Sequence, residues 1–241
     1  MNGRIRNGLL IGCLALLCLP AGAQQMIHHS LTDQPPRPLP RKMVAIPADI
    51  LVREVSAGGV LERVPKWTEE ASSNCTRAIR EIAAERSDFE LLAQPELSEE
   101  EREVLERYLA TYLVVGSTAH GLTVIDDPAW AHKRKHFDYT LGTGLAFLRE
   151  RTGADAAILM VGDDVVSTGE RKTLAVVGAL FGVAVPLGRS ILAAGVVDLA
   201  TGDILWMNYS ASLQYDLKDY ASVRKMFDEM FRAYPGLDGK R

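Results

Sequence analysis

The stretch Val196-Val197-Asp198-Leu199-Ala200-Thr201-Gly202-Asp203-Ile204-Leu205-Trp206 decides how this chain folds. Two apolar, β-branched runs flank Ala200-Thr201-Gly202-Asp203, and the glycine suits the positive φ of a tight turn. Outward, the runs extend to ILAAGVVDL (191–199) and ILWMNYSASL (204–213), which together read as a β-hairpin. Asp198 can accept bonds from the turn amides, and Trp206 can pack on the sheet, so the structural turn rests on Asp198, Thr201, Gly202 and Trp206.

Further out, AAILMVGDDVV (156–166) reads as a strand closed by a turn at Thr168-Gly169. MVAIPADILV, opening at Met43, reads as a strand with an edge or kink at Pro47. Gly58-Gly59 marks a turn, and FELLA (89–93) is a short strand. Helices are expected over 66–86, with Trp67, Ala71, Cys75, Ala78 and Ile82 on one face, and after the capping box Ser98/Glu101. The second helix carries the stripe Val104, Leu105, Tyr108, Leu109, Tyr112 and Leu113. Asp126-Asp127-Pro128 breaks the chain before a third helical stretch over about 129–151, and a last amphipathic helix spans 217–233. Interleaved strands and helices without internal repeats predict an α/β (α+β) fold: a single mixed sheet with packed helices in one domain, 43–235, followed by a short tail, 236–241.

The hairpin resembles the "VDxxTGxxLW" element of envelope proteins related to the curli channel lipoprotein CsgG, the N-terminal domain of TolB and the accessory lipoprotein PelC. Gly153-Ala154-Asp155-Ala156-Ala157-Ile158-Leu159 resembles the "GADYxLxG" helix-end-into-strand element of the same group. These segments cover about a quarter of the chain; the rest is similar in element order only. The whole is also similar to an uncharacterised family of secreted Gram-negative proteins with a glycine-rich apolar segment before the hairpin. The resemblance implies a CsgG/TolB-N-like sandwich and a non-catalytic part in envelope assemblies that bind proteins or oligomerise.

The N-terminus reads as a secretory signal: Arg4 and Arg6, the apolar run LLIGCLALLCLP, and small residues Ala21 and Ala23 before a cut. Twelve helical residues span roughly 18 Å, short of a bilayer core of about 30 Å. Cys13 follows Leu10-Ile11-Gly12, a lipobox-like stretch, so lipidation there is the competing reading. Export places the protein in the periplasm, with outer-membrane association left open. Residues 24–42, with Pro35, Pro36, Pro38 and Pro40, read as an extended tether.

The net charge of −4 turns more negative once Arg4 and Arg6 leave with the signal, which argues against nucleic acid and anionic lipid as partners. Cys13 and Cys18 leave too. Cys75 is then alone, no intrachain disulfide forms, and stability rests on the apolar core.

Candidate chemistry is sparse. His132 and His136 stand four apart in a predicted helix, with His120 and Asp126-Asp127 nearby, the sharpest metal-ligand pattern in the chain. The sequence is HKRKH, and its cations oppose a divalent ion. His28-His29 falls in the tether. There is no HExxH, no G-x-S-x-G and no phosphate loop; Gly142-Thr143-Gly144 is a fragment inside a predicted helix. Asp163-Asp164 reads as strand-end solvation. Asn74 and Asn208 open sequons within a helix and a strand. No catalytic residue and no cofactor is expected.

The segment TLAVVGALFGVAVPLG (173–188) holds no charge. Gly178 and Gly182 form a G-x-x-x-G step that permits close backbone packing, and Gly178, Phe181, Gly182, Pro186 and Gly188 are the candidate interaction residues. Three readings stay open: buried core, an exposed surface for oligomerisation, or membrane contact, a spanning helix being excluded by length and glycines. The functional expectation is a non-enzymatic envelope accessory protein that acts on a protein partner or on itself. The alternative is a periplasmic metal-binding protein or hydrolase with an unrecognised site.

Overall fold

Strand β6, Ala156–Ser167, is the axis of the molecule. A computed structural model describes residues 24–124 and 128–235. The expected signal segment 1–23 with Cys13, the break at Asp126-Asp127 and the expected tail 236–241 lie outside the described residues.

The described residues form one mixed eight-stranded sheet. Its strands are β1 (Gln24–Ile27), β2 (Lys42–Ala45), β3 (Asp49–Val55), β4 (Leu61–Arg63), β5 (Glu90–Leu92), β6, β7 (Arg189–Asp198) and β8 (Ile204–Ser212). The order is β1-β8-β7-β6-β2-β5. Beyond β2, β3 continues along the same side of β6, and β4 pairs outside it. Six α-helices accompany the sheet: α1 (Pro65–Glu85), α2 (Glu99–Val124), α3 (Ala131–Lys135), α4 (Ala146–Thr152), α5 (Gly169–Leu180) and α6 (Tyr220–Arg232).

Pro47 divides the expected first strand in two. β2 pairs parallel with Ala156–Ile158 and β3 with Val161–Ser167, so one long strand serves two short ones. Alternation along β6 sorts side chains into two cores. Ile158 and Met160 face α1 and α6, in a core that also holds Cys75, Trp206 and Phe227. Ala157, Leu159 and Val161 face α2, with Leu109, Tyr112 and Met207. Trp206, Tyr112 and Phe227 are wholly buried; burying side chains of this class contributes about 1.5–3 kcal/mol each. Glycine lets α2 sit close to the sheet: a methyl group on Gly195 would strike the Tyr112 ring, and one on Gly116 would strike Met207. α2 opens on the capping box, with the Ser98 N–H bonded to Glu101 and the Glu101 N–H to Ser98.

Two expectations need correction. Residues 24–42 do not hang free. β1 pairs antiparallel with β8, His28 is buried, and Arg37 bridges to Asp198 and, at 3.7 Å, to Asp203. Prolines kept this segment extended but did not keep it off the protein, because β8 presents an edge that four residues suffice to cover. The predicted helix over 129–151 is broken. α-Helix occurs only at 131–135 and 146–152, each preceded by a single 3₁₀ turn, Pro128–Trp130 and Thr143–Leu145. Between them the chain runs extended against the hairpin turn, where Ile204 N–H bonds to the Tyr139 carbonyl and Leu141 N–H to the Gly202 carbonyl. Gly142, at φ 78°, ends that run. Long-range pairing outweighed a local helical pattern.

Candidate functional site

Between β6 and β7 the chain leaves the sheet as an arm. Thr168 caps α5 by accepting from the Arg171 N–H. The helix then runs through the uncharged segment with no buried residue. It ends at Leu180, and Gly182, at φ 74°, reverses the chain. The return leg folds back on Gly178: Val183 N–H bonds to the Gly178 carbonyl at 2.8 Å, and a Cβ on Gly178 would lie 3.0 Å from the Val183 carbonyl. At the root, Arg171 donates to the carbonyls of Pro186 and Ser56. Gly188 is obligatory there, since a Cβ would lie 1.8 Å from the Val165 carbonyl.

The arm settles one of the three readings of 173–188. It is not core: Phe181 is 80% exposed, Leu180 79% and Val176 67%. Nor do Gly178 and Gly182 share a helix face toward a neighbour. Gly178 serves the arm's own hairpin and Gly182 its turn, because the helix stops at Leu180. Among the described residues no helix is long and apolar enough to cross a membrane.

A cleft of about 530 Å³ opens on the sheet face that α2 covers only in part. Leu51, Ile191 and Ala193 form its floor, and Leu113 and Ser117 of α2 form one wall. Arg53 and Asp163 cross it in a bidentate pair at 2.6–3.1 Å. Asp49 and Arg63 stand exposed at its rim, without an ion-pair partner among the described residues. Nothing in a linear reading joins these positions; they meet only through the parallel register of β3 on β6.

The two adjacent aspartates point to opposite faces of β6, as neighbours in a strand must. Asp163 is held by Arg53 in the cleft. Asp164, read as solvated, is instead buried beneath α1 and the 213–217 loop. It accepts from Leu217 N–H at 2.9 Å and meets Ser190 Oγ at 2.7 Å, and burial pushes its carboxyl above the usual range.

The candidate ligands His120, His132 and His136 do not converge on one point, although His28, His29 and His136 stand ring to ring in a row. His132 and His136 are exposed, and His136 follows the end of α3 and stacks on His29 at 3.7 Å. His120 lies at the far end of α2, stacked on Tyr209 at 3.8 Å, its Nδ1 buried without a partner. Burial holds its pKa below the ordinary imidazole value. Among the described residues no three His, Cys, Asp or Glu side chains group as a metal site. Burial drives the Cys75 thiol up to about 12, far from a reactive thiolate. Both sequon asparagines are engaged: Asn74 donates to the carbonyls of Leu217 and Lys218, and the buried Asn208 donates to that of Met230.

The hairpin motif is structural. Asp198 Oδ1 accepts from the amides of Ala200 and Thr201 at 2.7 Å. Gly202, at φ 78°, lies against Gly142, whose carbonyl would sit 2.0 Å from an added Cβ. In the "GAD" element, Gly153 closes α4 at φ 72°, and Asp155 bonds through backbone and side chain to Lys42 at the start of β2.

No protein-family model matches the chain, and no curated protein matches it. Two solved PelC dodecamers from Paraburkholderia phytofirmans align with it. One is 9% identical, with a TM-score of 0.33 over 86% of this chain and 97% of that one. The other, a single-residue variant, is 10% identical, with a TM-score of 0.35 over 87% and 96%. PelC is among the groups that the hairpin resembles, and a superposition this loose says nothing about activity or assembly.

Proposed function

We propose that the protein is a non-enzymatic, exported accessory protein of the cell envelope that works by contact with other protein, foremost with copies of itself. One observation carries this reading: an arm of contiguous apolar side chains stands in solvent, rooted on a rigid sheet by Arg171 and Gly188. Large exposed apolar patches on folded proteins mark interaction sites. Among the described residues the helix buries no side chain that would explain its composition.

The test is the mass of the purified protein by light scattering across a concentration series, beside Leu180→Asp and Phe181→Asp. The wild type is expected to assemble. Both variants are expected to stay monomeric with unchanged circular dichroism and melting temperature. A wild-type protein that is monomeric at all concentrations overturns the self-association reading. Stoichiometric metal in the native protein favours the metal-binding alternative.

A further inference from the structure

The arm and the cleft are both unpartnered in one chain, and they are of opposite shape. No arm residue lines the cleft, and Arg171 fixes the arm's root toward Ser56 and Pro186. Resting on the self-assembly reading above, we infer that the arm of one copy seats in the cleft of a second copy.

The chemistry of the two surfaces agrees. The floor of the cleft is apolar through Leu51, Ile191 and Ala193, and Leu113 extends that surface up the wall. The arm offers Leu174, Val177, Leu180 and Phe181, all exposed. Charge fixes the direction. Arg53 is already closed on Asp163, so the free charges at the cleft are one acid, Asp49, and one base, Arg63. The first turns of the arm hold one exposed acid, Glu170, and one exposed base, Lys172, neither with an ion-pair partner among the described residues. Glu170 lies on the same helix face as Leu174, Val177 and Phe181, so seating that face on the floor brings Glu170 toward Arg63, while Lys172, about 200° round the helix, stays in solvent. An antiparallel arm-to-arm contact would instead set each charged root against an apolar tip, which leaves charges desolvated and unpaired.

Arm-into-cleft is a heterologous contact: each copy gives an arm to one neighbour and receives one from another. Such contacts propagate head to tail and end in a closed ring or an open filament.

The test is complementation. Phe181→Asp disables the arm and leaves the cleft; Leu113→Asp disables the cleft and leaves the arm. Each variant alone is expected to be monomeric, with its association weakened roughly tenfold or more. Mixed together they are expected to form a one-to-one dimer and nothing larger, because one good arm meets one good cleft. A mixture that stays monomeric while the wild type assembles overturns the arm-in-cleft contact and leaves self-assembly standing through another surface. Should Leu113→Asp fail to fold, Arg63→Glu, at an exposed position, takes its place. It is expected to weaken assembly, and Glu170→Lys in the same chain is expected to restore it; no rescue counts against the contact. A monomeric wild type that floats with phosphatidylethanolamine–phosphatidylglycerol vesicles, and loses that binding as Phe181→Asp, overturns both the contact and the self-assembly beneath it.

Discussion

Ser190 Oγ lies 2.7 Å from Asp164 Oδ1 and 2.6 Å from the Tyr215 carbonyl, and serine has a single proton to give. Both short contacts are hydrogen bonds only if Asp164 is protonated, donating to Ser190 while Ser190 donates to Tyr215. Burial raising the Asp164 pKa agrees with that assignment. A raised carboxyl favours the folded state below the ordinary carboxylate range, and that contribution is lost as pH rises through the raised value. Asp164→Asn keeps the pattern, its amide donating to Ser190 and its oxygen accepting from Leu217. It should match the wild type near pH 4 and exceed it near pH 8 in urea denaturation. Asp164→Ala should cost about 1–3 kcal/mol through unpaired groups. An Asn variant as weak as the Ala variant contradicts the assignment.

His28 and His120 give the opposite slope. Burial lowers both, with Asp203 opposing it at His28. A lowered imidazole contributes stability above its ordinary value, and the contribution disappears as pH falls through the lowered one. Stability should therefore decline as pH falls below the ordinary imidazole value of about 6.5, and a His28→Asn, His120→Asn chain should show a flatter profile there. Because His28 follows β1, hydrogen exchange at Gln25–Ile27 should quicken first on acidification.

Gly202 and Gly59 separate two costs of losing a glycine. Both have positive φ, 78° and 84°. An alanine at Gly59 meets only the Arg171 side chain at 3.9 Å, whereas one at Gly202 collides with the Gly142 backbone. Gly59→Ala should cost about 1–2 kcal/mol from conformation alone. Gly202→Ala should add roughly 1–3 kcal/mol of overpacking. Equal losses in thermal unfolding would mean that the 136–142 segment yields freely.

Gly178→Leu with Gly182→Leu tests whether the arm is independent of the domain. The first displaces the return leg at Val183, and the second puts a side chain at positive φ. With nothing buried in α5, the melting temperature should move by less than roughly 2–4 °C, while assembly is lost. A collapse in stability would return the segment to the core.

The sheet was legible because its signals are local. The hairpin turn, the Ser98/Glu101 box and the unbroken apolar run that opens β6 each announce themselves within a dozen residues. Pro47 also marked its own kink. The 129–151 region misled, because its apolar spacing is helical while Phe137 and Leu141 are buried against a turn more than sixty positions away in the chain. β1 was invisible for a related reason: four residues hold no periodicity, and only the bare edge of β8 gives them a place. The candidate interaction residues at 173–188 were visible as composition, but their exposure is a tertiary fact, and apolar runs are usually buried. The cleft was not legible at all, since Leu51, Leu113 and Ile191 come from three elements.

One further consequence follows from the first strand. Gln24 pairs with Tyr209 and Ile27 with Trp206, so β1 has no place to dock until the C-terminal hairpin exists. Contacts so distant in sequence form late. Until that hairpin forms, Gln24–Ile27 therefore stays unpaired and open to a protease. Once β8 arrives, docking of β1 withdraws that stretch. The fold thus sets a clock: cutting at 24–27 belongs before completion of the sheet, and a chain that closes its edge first leaves a poorer substrate behind.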